Sequence, residues 1–316
     1  MIFKGKERPY YTINDYYLER FGTKVYKIAL NGNFTCPNRD GSLSSAGCIY
    51  CSEPGSGEFG GNKSHDLRSQ FEEVKKRMAS KWSQGKYIAY FQANTNTYAP
   101  IKKLKQLFEE ALSLDPDIIG ISIATRPDCL PEEVLDYLED LNKRTFLIVE
   151  LGLQTIHETT SKLINRGHDL LSFENAVNRL RKRNIHVVVH IINGLPHETK
   201  EMMMQTIEKI NTYDIQGLKI HMLYIIKNTP LERYYSHNSF HVLTLEEYTE
   251  IVANQIENLR PDIVLHRLTG DASKEDLIEP KWSLKKFVVT NEIDKLLRSR
   301  QTYQGVYYDH RRYLGT

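Results

Sequence analysis

The segment VYKIALNGNFTCPNRDGSLSSAGCIYC (25–51) joins an apolar run to a cluster of three cysteines. Its first part, VYKIALN (25–31), is largely apolar and has the length of a buried strand. The cysteines follow directly, with the spacing Cys36-x11-Cys48-x2-Cys51. A strand that leads straight into metal-binding side chains is typical of an α/β sheet whose functional edge lies at the carboxyl ends of its strands.

Apolar runs and amphipathic stretches alternate along most of the chain, which indicates a parallel sheet with both faces covered by helices. We therefore predict an α/β fold, a partial (β/α)6 TIM-like barrel. The predicted strands are 25–31, 86–92, 117–123, 145–153, 185–192 and 217–226, and the predicted helices lie near 65–82, 99–113, 131–142, 172–183, 199–211 and 244–259. DIVLHRL (262–268) is expected to add a seventh strand or to close the open side of the barrel.

Three parts are expected along the chain. Residues 1–24, which are rich in tyrosine, form an N-terminal segment that packs on the barrel. Residues 25–261 form the barrel itself, and residues 262–316 form a C-terminal extension.

The composition is that of an ordinary soluble protein, with 40% hydrophobic and 26% charged residues. The sequence shows no signal peptide and no run long enough to span a membrane, so we expect a cytoplasmic protein without a membrane partner. A net charge of +2 gives no support to nucleic-acid binding by itself. In residues 281–316, however, Lys and Arg outnumber Asp and Glu and four tyrosines are present. A solvent-exposed helix face has the same kind of composition, so these residues have two explanations, nucleic-acid binding or an ordinary solvated helix.

The cysteine cluster indicates a metal site, because four cysteines do not form a disulfide framework in a reducing compartment. Three thiolates hold three irons of a cubane and leave the fourth open to a small molecule. Structural zinc is the alternative, but it needs four ligands, and the spare candidates His65 and Cys129 lack ligand spacing. The cysteines alone leave both interpretations open. Tyr50, between the paired cysteines, is placed to flank a bound adenine.

Polar side chains recur at the ends of the predicted strands, where parallel barrels collect their functional groups. Each of them alone is explained as a buried polar group that is hydrogen-bonded within the protein. Their recurrence at successive strand ends, however, favours one ring-shaped site. Glu150 is the most informative, since a carboxylate in an apolar strand is costly unless it is paired or bound to a ligand. The polar residues in question are Gln92, Asn94, Asn96, Thr125, Arg126, Glu150, Gln154, His190, Asn193, Lys219, His221 and Tyr224, and the turn Gly194-Leu195 follows Asn193.

The chain as a whole resembles the Elongator-catalytic-subunit group of radical S-adenosylmethionine (SAM) enzymes, and within it the YhcC/YtqA-type branch. The resemblance to the group rests on the cysteine loop and on TRPD (125–128), VELGLQT (149–155), NRGHD (165–169), INGLPHET (192–199) and LKIHMLYIIKNTPL (218–231). The resemblance to the branch rests on the long first cysteine gap and on FQANTNTYAP (91–100), HRLTGDA (266–272) and QG (304–305). The first gap of eleven residues departs from the three of the commonest radical SAM motif and is typical of this branch.

This resemblance implies that Cys36, Cys48 and Cys51 hold an oxygen-sensitive [4Fe–4S] cluster and that SAM chelates its open iron. It also implies the contacts to SAM. Gln92 with Asn94 or Asn96 meets the amino group, Glu150 meets the ribose with Gln154 beside it, Arg166 pairs with the carboxylate, and Asn193, Gly194 and Leu195 line the adenine. Tyr50, Thr125 and Arg126 complete the expected cofactor contacts.

The implied chemistry is reductive cleavage of SAM to a 5′-deoxyadenosyl radical, with an electron donor such as flavodoxin or ferredoxin. Elongator relatives modify C5 of the wobble uridine in tRNA, so the resemblance implies a tRNA substrate, for example one whose carboxymethylaminomethyl group is trimmed to aminomethyl. The C-terminal extension is then expected to contact the RNA. The expected substrate-side residues are His190, His221, Tyr224, Arg267 and Asp271. The alternatives are a radical SAM enzyme acting on a protein or small metabolite, and a non-catalytic zinc-binding module.

Overall fold

The structure is a computed structural model that describes residues 3–53, 55, 60–79, 84–270 and 272–309. Its strands are β1 (Val25–Leu30), β2 (Lys86–Phe91), β3 (Ile118–Thr125), β4 (Phe146–Gln154), β5 (His186–Asn193), β6 (Gly217–Met222), β7 (Ile225–Ile226), β8 (Val264–Arg267) and β9 (Leu277–Glu279). Its helices are α1 (Ile13–Phe21), α2 (Leu67–Ala79), α3 (Ile101–Leu112), α4 (Glu132–Arg144), α5 (Glu158–Leu163), α6 (Leu170–Lys182), α7 (Lys200–Ile210), α8 (Pro230–His237), α9 (Leu245–Asn258) and α10 (Lys286–Ser299). Short 3-10 helices occur at Phe3–Gly5 and Lys281–Leu284.

Seven strands form one curled parallel sheet, in the order β1-β2-β3-β4-β5-β6-β8. This arrangement confirms the predicted α/β fold and is that of a partial TIM-like barrel. DIVLHRL does contribute the seventh strand, β8, which pairs with β6. The described helices contain no segment long and apolar enough to cross a membrane.

The structure departs from the predicted elements in one strand and in four helices. The strand expected over 217–226 ends at Met222, and Ile225–Ile226 pairs instead with β9 in a separate antiparallel ribbon. Helices α1, α5, α8 and α10 were not predicted. α5 spans only six residues, too few to show a helical period. α8 does have a recognisable start, since Thr229 caps it and Pro230 occupies its first turn.

The chain divides into two compact units. The cysteine unit comprises Tyr17–Gly152 and Gly167–Val188, and the C-terminal unit comprises Met1–Tyr16, Leu153–Arg166 and Val189–Thr316. Boundaries near 24 and 261 remain a prediction.

In the cysteine unit, a column of aromatic rings packs helices α3 and α4 against the sheet. The ring centroids of Phe91 and Phe108 are 5.0 Å apart, and Phe108 stacks on Tyr137 at 6.4 Å. Phe34, which lies two residues before Cys36, packs edge-on against Phe91 at 6.3 Å. The start of the cysteine loop is therefore anchored in the hydrophobic core.

The same unit buries the carboxylate of Glu150, whose side chain is 0% exposed. Its Oε1 forms a short ion pair with Lys27 Nζ and accepts a hydrogen bond from Ser122 Oγ at 2.7 Å. Its Oε2 accepts from the Tyr90 hydroxyl at 3.0 Å. Strands β1, β2, β3 and β4 thus contribute one polar side chain each to a single buried network.

In the C-terminal unit, α9 forms the centre of the core, with Tyr248, Val252 and Ile256 completely buried. Gln304, also completely buried, ties the chain ends together. Its Nε2 donates to the carbonyls of Arg260 and Ile263, and its Oε1 accepts from the backbone N–H of residue 11. The QG motif therefore has a structural role.

We expect Lys27→Met to lower the free energy of unfolding by roughly 3 kcal/mol, because it leaves the Glu150 carboxylate buried without a counter-charge. The double variant Lys27→Met/Glu150→Gln should recover most of this loss, because the amide is neutral and retains hydrogen bonds to Ser122 and Tyr90. Urea denaturation of the three proteins measures both changes.

Lys86→Met is the matched control for that experiment. Lys86 pairs with Asp117 at 2.6 Å, but its side chain is 42% exposed, so its removal should cost less than about 1 kcal/mol. Equal losses for Lys27→Met and Lys86→Met would show that the Glu150 network is not a buried charge pair.

Candidate functional site

The cysteine loop is shaped by its own backbone hydrogen bonds. The carbonyl of Cys36 accepts from the N–H groups of Arg39 and Asp40 at 2.8 and 3.1 Å, and the N–H of Cys51 donates to the carbonyl of Cys48 at 3.0 Å. None of the three cysteines is in a disulfide, and each is only partly buried. The loop therefore presents three thiols that remain accessible to a metal cluster.

Cys48 is favoured as a thiolate. A hydrogen bond from the Cys51 thiol, helped by Tyr50, by the charge of Arg126 and by Asn38, lowers the pKa of Cys48 to about 6, although burial opposes the shift. Asn38 Nδ2 donates to the Cys48 sulfur at 3.6 Å. Thiolates are the ligands of iron–sulfur clusters, so this surrounding suits the predicted ligand.

Arg126, from the TRPD motif, lies close enough to the cysteine loop to act on it electrostatically. Its guanidinium makes a bidentate pair with Asp128, with Nε–Oδ1 and Nη2–Oδ2 distances of 3.0 and 2.8 Å. Gly167 packs here too, and a Cβ at this position would lie 2.9 Å from Asn38 Oδ1 and 3.4 Å from Arg126 Nη2. The TRPD and NRGHD motifs therefore meet at the cysteine loop.

The two candidate asparagines after β2, Asn94 and Asn96, make different contacts. Asn94 has a left-handed backbone (φ 60°), and its Nδ2 donates to the carbonyl of Phe34 at 3.1 Å, so it supports the cysteine loop. Asn96 is completely buried, and its Nδ2 donates to the carbonyls of Phe91 and Ala124. Among the described residues, neither Asn96 Oδ1 nor the buried Thr95 hydroxyl has a hydrogen-bond partner. These two oxygens are suited to a ligand that carries an ammonium group.

The remaining expected cofactor residues of the cysteine unit are placed as follows. Gln92 lies directly after β2 and is partly buried. The Thr125 hydroxyl shares a 2.6 Å hydrogen bond with that of Thr97, so it is engaged within the protein. Glu150 lies in the network described above. Cys129 is buried, and burial raises the pKa of its thiol to about 12, as expected for an inert core cysteine.

In the C-terminal unit, Arg166 holds the backbone on both sides of Gln154. Arg166 is 1% exposed, and its Nη1 donates to the carbonyls of Leu153 and Thr155, the latter at 2.7 Å. Gln154 between them has a left-handed backbone, with φ 60°. This φ is unusual for a residue other than glycine, so Arg166 stabilises a strained turn at the end of β4. Its pairing with a carboxylate remains a prediction.

The turn after β5 is held from α9. Asn193 and Gln255 exchange side-chain amide hydrogen bonds of 2.8 and 2.9 Å in the buried core. Gly194, with φ 81°, donates its N–H to the Met203 sulfur, and Leu195 is buried. Asn193 and Gly194 line a small cleft with Leu223, Leu243 and Trp282. The Asn193 amide therefore fixes the turn after β5 to α9.

The expected substrate-side residues form two groups in the C-terminal unit. The rings of His190 and His221 lie side by side, with centroids 5.3 Å apart. The Tyr224 hydroxyl donates to the Met222 sulfur at 2.9 Å, and the charge of Arg267 acts on it. Burial raises the pKa of Tyr224 well above its usual range. Asp271 lies outside the described residues.

Sequence reasoning missed Lys27, Tyr90 and Asn38. Lys27 had a recognisable signal, because a lysine inside the apolar run 25–31 needs a buried partner as much as Glu150 does. Tyr90 and Asn38 had none, since a tyrosine in a strand and an asparagine in a loop are ordinary in those places.

The donor set fits an iron–sulfur cluster with SAM. Three cysteines outside any disulfide, one with a lowered pKa, match the ligands of a cubane with one open iron. Two buried oxygens without partners among the described residues suit the SAM amino group. In the described part of the chain, no three His, Cys, Asp or Glu side chains are grouped to hold a single metal ion. A cubane takes one thiolate per iron, so its ligands need not converge on one point.

Comparison with known proteins agrees with this chemistry. The model of the "Radical SAM superfamily" matches residues 36–210, and that of the "Radical_SAM C-terminal domain" matches residues 215–299. The chain is 50% identical to the "Uncharacterized protein YtqA" of Bacillus subtilis over 97% of this chain and 95% of that protein. It is 27% identical to the "tRNA uridine(34) acetyltransferase" of Methanocaldococcus infernus over 43% of this chain and 25% of that protein.

A solved structure shows the same fold. It is the archaeal Methanocaldococcus infernus Elp3 with an N-terminal deletion, which superimposes with a TM-score of 0.67 at 18% identity and covers 89% of this chain and 64% of that chain. The superfamily match spans more than half of the chain and begins at Cys36. The protein therefore belongs to the radical SAM superfamily, in its YhcC/YtqA-type branch, and is an enzyme that uses a [4Fe–4S] cluster and SAM.

Proposed function

We propose that this enzyme modifies the C5 side chain of the wobble uridine in tRNA, for example by trimming carboxymethylaminomethyl to aminomethyl. The observation that carries the proposal is the 27% identity, over 138 residues, to a protein named for tRNA uridine 34. The archaeal Elp3 fold, shared over 89% of the chain, is consistent with the same site architecture. We propose the cytoplasm as its location, because free cysteines of this kind persist in a reducing compartment.

We assign Cys36, Cys48 and Cys51 as the cluster ligands. When bound, the cluster and SAM supply a radical that abstracts hydrogen from the substrate, after an electron arrives from a donor such as flavodoxin or ferredoxin. The cysteine loop positions the cluster, and its lowered Cys48 pKa means that little proton release opposes ligation near neutral pH. Asp128 fixes the orientation of the Arg126 guanidinium, and the charge of Arg126 interacts with Cys36 and Cys48.

We assign Asn96 Oδ1 and the Thr95 hydroxyl to the SAM amino group. An amino group keeps N–H donors when its nitrogen binds iron, and these buried oxygens are acceptors without partners among the described residues. Gln92 and Asn94 flank this position, and Asn94 holds the loop rather than the ligand. Thr125, Glu150, Gln154, Arg166, Tyr50 and the 193–195 turn complete the proposed set.

On the substrate side, we assign His190, His221, Tyr224 and Arg267. Their imidazole rings are neighbours, and imidazole is the side chain that most often transfers protons in enzymes. Tyr224 remains protonated, since burial raises its pKa.

The two alternatives are a radical SAM enzyme with a protein or small-metabolite substrate and a non-catalytic zinc module. A protein or small-metabolite substrate would leave tRNA nucleosides unchanged in cells without the enzyme. A non-catalytic zinc module does not agree with membership of this enzyme superfamily.

We expect Cys48→Ala to abolish cluster retention and 5′-deoxyadenosine formation, because the cubane loses one of its three protein ligands. Iron and sulfide analysis and visible absorption after anaerobic reconstitution measure the first effect, and chromatography of the SAM products measures the second. Cys129→Ala is the matched control and should retain the cluster. Full iron content in Cys48→Ala would mean that the ligand is misassigned.

The tRNA proposal is tested by mass spectrometry of tRNA nucleosides from cells with and without the protein. We expect cells without it to accumulate the carboxymethylaminomethyl uridine and lose the aminomethyl form. Complementation with the wild-type protein should restore the pattern, and Cys48→Ala should not. Identical nucleoside profiles in both strains would contradict the tRNA assignment while leaving the radical SAM chemistry intact.

A further inference from the structure

Phe287, in the first turn of α10, is 86% exposed. Phenylalanine is among the residue types most often buried in folded proteins. α10 packs through Val289, Ile293 and Leu297, which are completely buried. Successive residues of a helix are rotated by roughly 100°, so Phe287 projects from the side opposite to Val289. α10 therefore packs against the protein without using this ring, which faces solvent.

Phe287 lies in a stretch, KWSLKKFV (281–288), that we call the α10 patch. Leu284 and Val288 are also exposed, by 37% and 40%. Three exposed lysines accompany these apolar residues, and the sequence from 280 to 291 has no acidic residue. The lysines are Lys281, Lys285 and Lys286. The patch thus combines an exposed aromatic ring with concentrated positive charge.

The other aromatic residue of the patch is used differently. Trp282 donates its indole N–H to the carbonyl of Leu243 at 2.9 Å, and its ring packs on Tyr248 with centroids 5.4 Å apart. Trp282 therefore fixes the segment to the core of the C-terminal unit. Phe287 follows this anchored residue by five positions and presents its ring to solvent.

We propose that the α10 patch binds an unpaired region of the RNA substrate, with the ring of Phe287 stacked on a nucleobase and Lys285 and Lys286 beside the adjacent phosphates. Proteins recognise single-stranded RNA in this way, through aromatic stacking and backbone charge. This inference rests on the proposed function, since it requires RNA as the substrate. It assigns the RNA contact to a defined surface rather than to the basic tail in general.

Charge favours RNA over a second copy of the chain as the occupant. In a two-fold contact the same surface meets itself, so the lysines of one copy would face those of the other. Like charges placed together oppose association. A polyanion instead releases bound counterions when lysines neutralise its phosphates.

The test measures binding of tRNA from cells that lack the protein, by fluorescence anisotropy with the anaerobic, cluster-loaded enzyme. Phe287→Ala and Phe287→Leu should each weaken binding about tenfold, because both remove the stacked ring. Phe287→Trp should bind as tightly as the wild type. Lys285→Ala/Lys286→Ala should weaken binding and reduce the slope of log Kd against log salt by roughly one for each phosphate that is no longer neutralised.

Two control variants match these changes in chemistry. Leu171→Ala removes another strongly exposed apolar side chain, which is 61% exposed on α6. Lys295→Ala removes a lysine from the same helix, where it pairs with Glu292 at 2.6 Å. Both should bind tRNA as the wild type does. Visible absorption of the cluster and circular dichroism check that all variants are folded.

The outcomes separate the two proposals. Wild-type binding of tRNA with equal binding by the Phe287 and lysine variants would overturn the α10 patch alone. So would a Phe287→Leu variant that binds like the wild type, a Phe287→Ala variant whose only change is in sedimentation, or one whose only loss is binding to phosphatidylglycerol vesicles. A wild-type enzyme that binds no tRNA would overturn both the patch and the proposed function.

Discussion

The carboxylate of Glu150 is buried in the centre of the cysteine unit, and the fold of that unit has to compensate its charge. The counter-charge comes from Lys27 on β1, with hydrogen bonds from Tyr90 on β2 and Ser122 on β3. Removing a charge from water costs several kcal/mol, so the network is stable only when all four strands lie in their correct order and register. Strand order in this unit is therefore coupled to charge satisfaction as well as to hydrophobic burial.

Side-chain hydrogen bonds also fix the loops at the strand ends. Asn94 binds the carbonyl of Phe34 at the start of the cysteine loop, and Phe34 itself packs into the aromatic core. Arg166 holds the carbonyls that flank the left-handed Gln154. Several polar residues of the family motifs thus build the backbone that carries the site. Because such loops are already ordered, less conformational entropy is lost when a cofactor binds.

The chemistry assigned to the enzyme follows from a division of tasks. The cysteine unit supplies accessible thiols, a lowered Cys48 pKa and two buried oxygens suited to an amino group. The C-terminal unit supplies paired imidazoles, the cleft at Asn193 and an exposed aromatic patch on α10. The proposed RNA contact and the proposed substrate residues both belong to the C-terminal unit. The cofactor performs the difficult step, and the protein provides position and selectivity.

The sequence by itself determined the parallel α/β fold, because alternation of apolar runs and amphipathic helices is a local pattern. It also indicated the type of cofactor, because three cysteines lie within sixteen residues, from Cys36 to Cys51, in a chain whose other motifs resemble those of radical SAM enzymes. Only the tertiary structure decided which side chains meet: Lys27 pairs with Glu150 across 123 residues, and Asn193 with Gln255 across 62. It also decided that Phe287 faces solvent. Such partnerships depend on strand order, register and helix orientation, which are set by long-range packing and leave no periodic signal in the chain.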